Sequence, residues 1–208
     1  MYFNKTDLPI NNEMLNFWKD NGYLVIENFK SHEECDELIN RSQELIEEQD
    51  FNNQQSVFDT VSQSHNDDNY FLDSGDKIRF FFEEKANLEK ENIKTNKHYI
   101  VNKIGHALHD LDEKFIKFSK NEELDLIAKA IGFKNPLLLQ SMYIFKQPKI
   151  GGEVVCHQDS TFLITEPESL LVFGLPLKMR IEIMDVCRLL VVVIKDLYVS
   201  YLKEKIIK

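Results

Sequence analysis

Residues 151–162, GGEVVCHQDSTF, decide how the rest of this chain is read. On an extended strand His157 and Asp159 stand two positions apart, so both side chains leave one face while Gln158 leaves the other. An imidazole nitrogen and a carboxylate oxygen so placed can share one ion. Taken alone, a His-x-Asp sequence reads equally as a surface turn closed by a hydrogen bond between the two side chains. The flanks favour the ion: two glycines precede the pair, Phe162 follows it, and the run LLLQSMYIF at 137–145, bounded by Pro136 and Pro148, predicts a long strand just upstream. A ligand pair beyond such a strand sits where the mouth of a β-barrel would be.

Toward the N-terminus the punctuation is clear. Asn11 or Asn12 is placed to cap a helix whose Met14, Leu15, Phe17 and Trp18 share a face, and Asn21-Gly22 to stop it. Tyr23 to Ile26 is a short apolar strand. Ser31 and Glu34 form a capping box for a helix from Glu33 to about Gln49, with Cys35, Leu38, Ile39, Leu45 and Ile46 at helical spacing. Residues 51–69 are polar without a period and read as a loop; Tyr70-Phe71-Leu72 leads into a turn at residues 73–76, and KIRFFF at 77–82 predicts a strand. Residues 83–98 are charged and read as exposed. Helical spacing returns near 108–118 and 124–131, the latter closed by Gly132. Helices first and strands afterwards predict a mainly β core decorated by an N-terminal helical layer.

A formal net charge of -10 argues against nucleic acid or an anionic membrane surface as partner. No stretch of apolar residues reaches spanning length, and the longest run, 189–194, is a strand's worth. Three widely spaced cysteines, Cys35, Cys156 and Cys187, predict no disulfide framework, which suits a cytoplasmic location.

With one remote histidine, His157 and Asp159 would complete the 2-His-1-carboxylate facial triad of non-haem Fe(II) oxygenases, whose open positions take 2-oxoglutarate and dioxygen. Thiolates would instead have favoured zinc. His106 and His109, three apart on a predicted helix, are read as structural.

Several stretches in order carry a resemblance: DNGYLVI at 20–26, SGDKIRFFF at 74–82, NKIGHALH at 102–109, QSMYIFKQP at 140–148 and residues 152–162. Over roughly residues 15–171 the chain resembles the phytanoyl-CoA dioxygenase family. The resemblance implies a double-stranded β-helix, or jelly roll, with iron held by His157 and Asp159. It places Lys77, Met142 and Gln158 where the family contacts the cosubstrate 2-oxoglutarate. The implied reaction is hydroxylation of a small-molecule substrate of unknown identity, with release of succinate and carbon dioxide. Charge complementarity suits Lys77 to a carboxylate, although a solvated edge lysine reads the same; Met142 reads equally as core.

The pattern fails after about residue 170. No histidine follows His157, and Arg180 and Arg188 fall too early for the arginine that normally receives the far carboxylate of 2-oxoglutarate. Residues 1–169 contain 17 Asn and 8 Gln whereas 170–208 contain neither, so the two parts have different compositions. The tail can be encoded by a nucleotide string that, read two bases later, resembles the family's next strand and turn. The expectation is therefore a family domain over 1–169, incomplete at its C-terminus, followed by an out-of-frame or replacement segment over 170–208. On the replacement reading, residues 189–194 form a buried strand and 197–207 a terminal helix. Such a chain is expected to be an impaired oxygenase that can associate through exposed strand edges, or a non-catalytic cosubstrate-binding or structural protein.

Overall fold

A computed structural model describes residues 1–51, 56–58, 68–86, 97–151, 159–161, 163–167 and 169–177, and the backbone of 190–194. The chain divides into two compact units. One combines Met1–Asp36, Asn121–Pro136 and Val155–Lys208; the other combines Glu37–Lys120 and Leu137–Val154.

The first unit is organised on the strand Tyr23–Glu27 (β2), whose neighbour Phe3–Asn4 (β1) runs parallel to it. On its other side β2 pairs antiparallel with a strand from the tail. Numbering in chain order, with β3 to β6 in the second unit, the tail strands are Val172–Gly174 (β7) and Leu190–Ile194 (β8), and the sheet order is β1-β2-β8-β7. Tyr23, Leu24, Val25 and Ile26 are all buried, as a central strand covered on both faces requires; a continuous apolar run replaces alternation there. The helix Asn12–Asn21 begins where Asn11 Oδ1 accepts from the Met14 amide at 3.0 Å. It ends at Gly22, whose φ of 72° suits a residue without Cβ and whose amide donates to the Trp18 carbonyl at 2.7 Å. Met14 and Trp18 from this helix pack with Phe3, Leu24, Ile26 and Phe29, and with Leu124 and Ile127 from the helix Glu122–Ala130. Each such side chain contributes about 1.5–3 kcal/mol when fully buried. Leu171, Phe173 and Leu175 lie half-buried against the same cluster, so the described start of the tail shares this core.

The helix His32–Glu48 passes from the first unit into the second. Its capping box forms as its sequence predicts: Ser31 Oγ accepts from the Glu34 amide at 3.2 Å, and Glu34 Oε2 accepts from the Ser31 amide at 2.9 Å.

The second unit holds the sheet β3-β4-β5-β6, made of Val57–Phe58, Ile78–Glu83, Val101–His106 and Ser141–Ile144. β3 runs parallel to β4, and β5 runs antiparallel to both β4 and β6. On one face Phe80 lies opposite Ile104, and the Phe51 ring stands edge-on to Phe80 and Phe82 at 5.4 and 5.2 Å. On the other face Phe81 lies opposite Lys103. Glu83 is buried and accepts from Asn102 Nδ2 at 3.0 Å. Asp112 ties the helices to this unit. Its Oδ1 caps the helix Glu113–Ser119 through the Lys114 and Phe115 amides at 3.1 and 3.3 Å, and its Oδ2 accepts from Arg41 Nε at 2.7 Å.

Several expectations shift. The strand expected at 137–145 is confined to Ser141–Ile144, with Leu137 and Leu139 exposed before it. The polar stretch 51–69 contributes β3, because a parallel partner far along the chain, not local pattern, creates that strand. Tyr70 to Leu72 belong to a short helix, Asn69–Leu72, capped by Asp68. The helix expected over 108–118 breaks into Leu108–Leu111 and Glu113–Ser119, since Asp112 takes an extended backbone to cap the second. Glu83, expected to be exposed, is buried. The described strands form two mixed, open sheets with flanking helices, and no closed barrel among the described residues. No helix among them is long and apolar enough to cross a membrane. Cys35 is a buried free thiol, pushed up to about 11 by burial.

Candidate functional site

The most unusual group in the molecule is a lysine buried in an apolar wall. Lys103, in the middle of β5, is 3 % exposed. Its Nζ lies 3.4 Å from the Phe58 ring centroid, 5.1 Å from that of Phe71 and 5.2 Å from that of Phe81, with Met142 Sδ at 3.9 Å. β5 fixes this arrangement from both sides, because Phe81 on β4 is its direct partner and Met142 on β6 is paired with the adjacent Gly105. No carboxylate pairs with Lys103 among the described residues. Aromatic faces attract a desolvated cation by about 2 kcal/mol, less than the several kcal/mol that removing an ammonium from water costs. Burial accordingly pushes the Lys103 ammonium down to about 7. An arriving anion would supply the missing counter-charge.

His106 ends β5 against the same two rings, its centroid 5.5 Å from Phe71 and 5.5 Å from Phe81. Ser74 Oγ donates its proton to the Phe71 carbonyl, so the 2.6 Å contact between Ser74 Oγ and His106 Nδ1 is donated by the imidazole. The lone pair therefore lies on Nε2, which is buried without a hydrogen-bond partner among the described residues. Burial first, and the Lys103 charge second, push His106 down to about 4, so the ring is neutral at pH 7. His109 differs. Its Nδ1 meets Ser141 Oγ at 2.8 Å, and its Nε2 faces the Leu138 carbonyl at 3.2 Å and Asp110 Oδ2 at 3.4 Å, so both nitrogens have partners. The two histidines do not share a helix: His106 lies on the strand and His109 in the short helix after it.

Lys77 stands just before β4 with a side chain 47 % exposed, and its Nζ donates to Asp76 Oδ1 and to the Asp73 carbonyl at 2.9 Å each. Met142 is half-exposed on β6 beside Lys103. The approach to the His-x-Asp sequence turns tightly at Gly151, whose amide donates to the Gln147 carbonyl at 3.0 Å; a Cβ there would stand 2.7 Å from that same oxygen, so only glycine fits. Asp159 is exposed and opens a 3-10 turn, Asp159–Thr161, with its carbonyl accepting from the Leu163 amide at 2.8 Å. The extended geometry expected for the ligand pair thus does not hold at Asp159. His157 and Gln158 lie outside the described residues. Among the described residues no three His, Cys, Asp or Glu side chains cluster as a metal site.

Sequence reading missed Lys103 because a lysine in a strand ordinarily points to water. One signal was present. Lys103 sits in IVNKIGHAL, residues 100–108, and no acidic residue occurs between Glu91 and Asp110 to pair with it locally.

Comparison with known proteins bears on what this site serves. The phytanoyl-CoA dioxygenase family profile matches residues 18–178. A phytanoyl-CoA dioxygenase of Arabidopsis thaliana is 46% identical over 157 residues, covering 76% of this chain and 55% of that protein. A phytanoyl-CoA dioxygenase domain-containing protein 1 homolog of Dictyostelium discoideum is 44% identical over 160 residues, covering 77% and 57%. The Danio rerio phytanoyl-CoA dioxygenase domain-containing protein 1 is 44% identical over 155 residues, covering 72% and 53%. The chain spans about half the length of the curated relatives it matches.

Proposed function

Because the chain belongs to the phytanoyl-CoA dioxygenase family, we propose that it carries the cosubstrate-holding part of an Fe(II) and 2-oxoglutarate-dependent dioxygenase that hydroxylates a small-molecule substrate. The observation that carries this reading is Lys103: a buried ammonium with rings and a thioether but no counter-charge among the described residues is destabilising until an anion such as a 2-oxoglutarate carboxylate reaches it. Of the two candidate lysines the buried one suits this role better, since Lys77 already has Asp76 and water. Met142 beside Lys103 would contact the chain of the same ligand.

The donor chemistry of His157 and Asp159, one imidazole and one carboxylate, fits Fe(II), and these two residues would hold the metal. When bound, iron would bring together dioxygen as the oxidant and 2-oxoglutarate as the co-reductant, so that a carbon centre is hydroxylated while the 2-oxoglutarate is converted to succinate and carbon dioxide. The work of this chain's own residues is different. Lys103 neutralises and orients a carboxylate, the Phe58, Phe71 and Phe81 rings keep water from it, and neutral His106 adds no charge of its own.

Anaerobic titration of the chain with Fe(II) and 2-oxoglutarate tests the reading. A metal-to-ligand charge-transfer band, lost in Lys103→Met, supports it. No band from the folded chain rejects it. A band without succinate on admission of air assigns the non-catalytic, cosubstrate-binding alternative.

A further inference from the structure

Two buried polar groups stand on the same pair of rings, each lacking what the other has. The Lys103 ammonium carries three N–H donors and, among the described residues, meets aromatic faces and a thioether. His106 carries one nitrogen lone pair, 2 % exposed as a residue and without a donor among the described residues. Ser74 decides where that lone pair lies, because its own proton is committed to the Phe71 carbonyl and it can only accept from Nδ1.

We propose that His106 is a positioning residue for Lys103: held by Ser74 with its lone pair at Nε2, it receives one N–H of the Lys103 ammonium whenever that group is protonated, and so leaves the remaining N–H groups to an anionic ligand. The inference rests on the reading of Lys103 as receptor for a 2-oxoglutarate carboxylate. It extends that reading to two residues, His106 and Ser74, that touch neither metal nor cosubstrate in the scheme above. A carboxylate takes one or two of the three donors; the third, buried, needs a neutral acceptor, since a second carboxylate there would compete with the ligand for the same charge. Imidazole meets that need. Lys103 and His106 are themselves the titratable groups acting across this space: burial acts on Lys103, and burial with the Lys103 charge acts on His106.

The test uses the whole 208-residue chain with 13C-labelled lysine, following the Lys103 Cε resonance against pH by NMR, and identifying it by its loss in Lys103→Met. The wild-type midpoint is expected near pH 7. His106→Phe, which keeps a ring but removes the acceptor, is expected to lower it by about one unit, whereas His106→Gln, whose amide oxygen can replace Nε2, returns it to within a few tenths. Coincident wild-type and His106→Phe curves overturn the proposal. So does an equal displacement in His106→Gln, which would make the ring mere packing. Should His106→Phe not fold, Ser74→Ala decides: freeing the tautomer is expected to lower the midpoint by a smaller amount, and no change overturns the proposal. Adding 2-oxoglutarate to the wild type separates the two ideas. An unmoved Lys103 midpoint sinks the cosubstrate reading while the coupling between Lys103 and His106 stands or falls on the variants.

Discussion

The two units differ in how they partner the charge they bury. Around β2 the first unit packs Met14, Trp18, Leu24, Ile26, Phe29 and Ile127, and the lysine it buries beside Phe29, Lys30, is paired with Glu34 at 3.0 Å. Around β5 the second unit buries Lys103, His106, His109, Glu83 and Asn102 among its phenylalanines. Both sheets have four strands. A buried lysine with a carboxylate partner is compatible with an interior built for stability, whereas one without such a partner gives up stability that a ligand can restore. The contrast teaches where to look for chemistry: in the strand whose burial its composition does not justify.

The largest effect expected is on the apolar side. Trp18→Ala should remove about 3–5 kcal/mol by transfer loss and cavity, read as a fall in urea midpoint at unchanged slope. A change below 1 kcal/mol would dissolve the contrast. Lys103→Met is expected to move stability the other way, upward by a few kcal/mol on the order set by its displaced titration, while abolishing the response to 2-oxoglutarate. The sign follows from protons. Folded Lys103 titrates near 7 and unfolded lysine near 10.5, so between these values the unfolded chain holds more protons, and wild-type stability should rise with pH across that window. His106 adds a second window, from about 4 to 6.5, in which stability again rises with pH because the buried ring resists protonation. Urea titrations at pH 6, 8 and 10 should show the upper rise in wild type and its absence in Lys103→Met. A slope that survives the substitution assigns the rise to other groups. Smallest is a polar position that is already satisfied: Asp112→Ala should lose about 1–2 kcal/mol, the worth of a helix cap, with Arg41 still partnered by Glu44 and Glu48. A loss as large as that of Trp18→Ala would show that satisfied polar groups dominate the second unit.

What could be read in advance was local. Asn11, Gly22, Ser31 and Glu34 bond to backbone groups within four residues of themselves, and their roles in the structure match their spelling in the chain. β3 could not be read that way, since Val57 and Phe58 become a strand only through Phe82 and Glu83. The candidate site divides similarly. His157 and Asp159 are legible as a chemical pair, and Lys77 comes from the family resemblance, while Lys103 is not legible because burial is a property of the tertiary structure. Lys77 beside Asp76 carries its own partner in sequence, and that proximity is what keeps it at the surface. The short tail strand at 190–194 was legible as an apolar run, but its place beside β2 was not.

The hydrogen bond between Asn102 and Glu83 has a consequence for how β4 and β5 find each other. Successive residues of a strand face opposite ways, so sliding one strand by a single step would turn Asn102 from its mate and strand a carboxylate among phenylalanines. A misaligned hairpin would carry its own penalty, and the polar pair would act as a key that fits at one setting of the two strands.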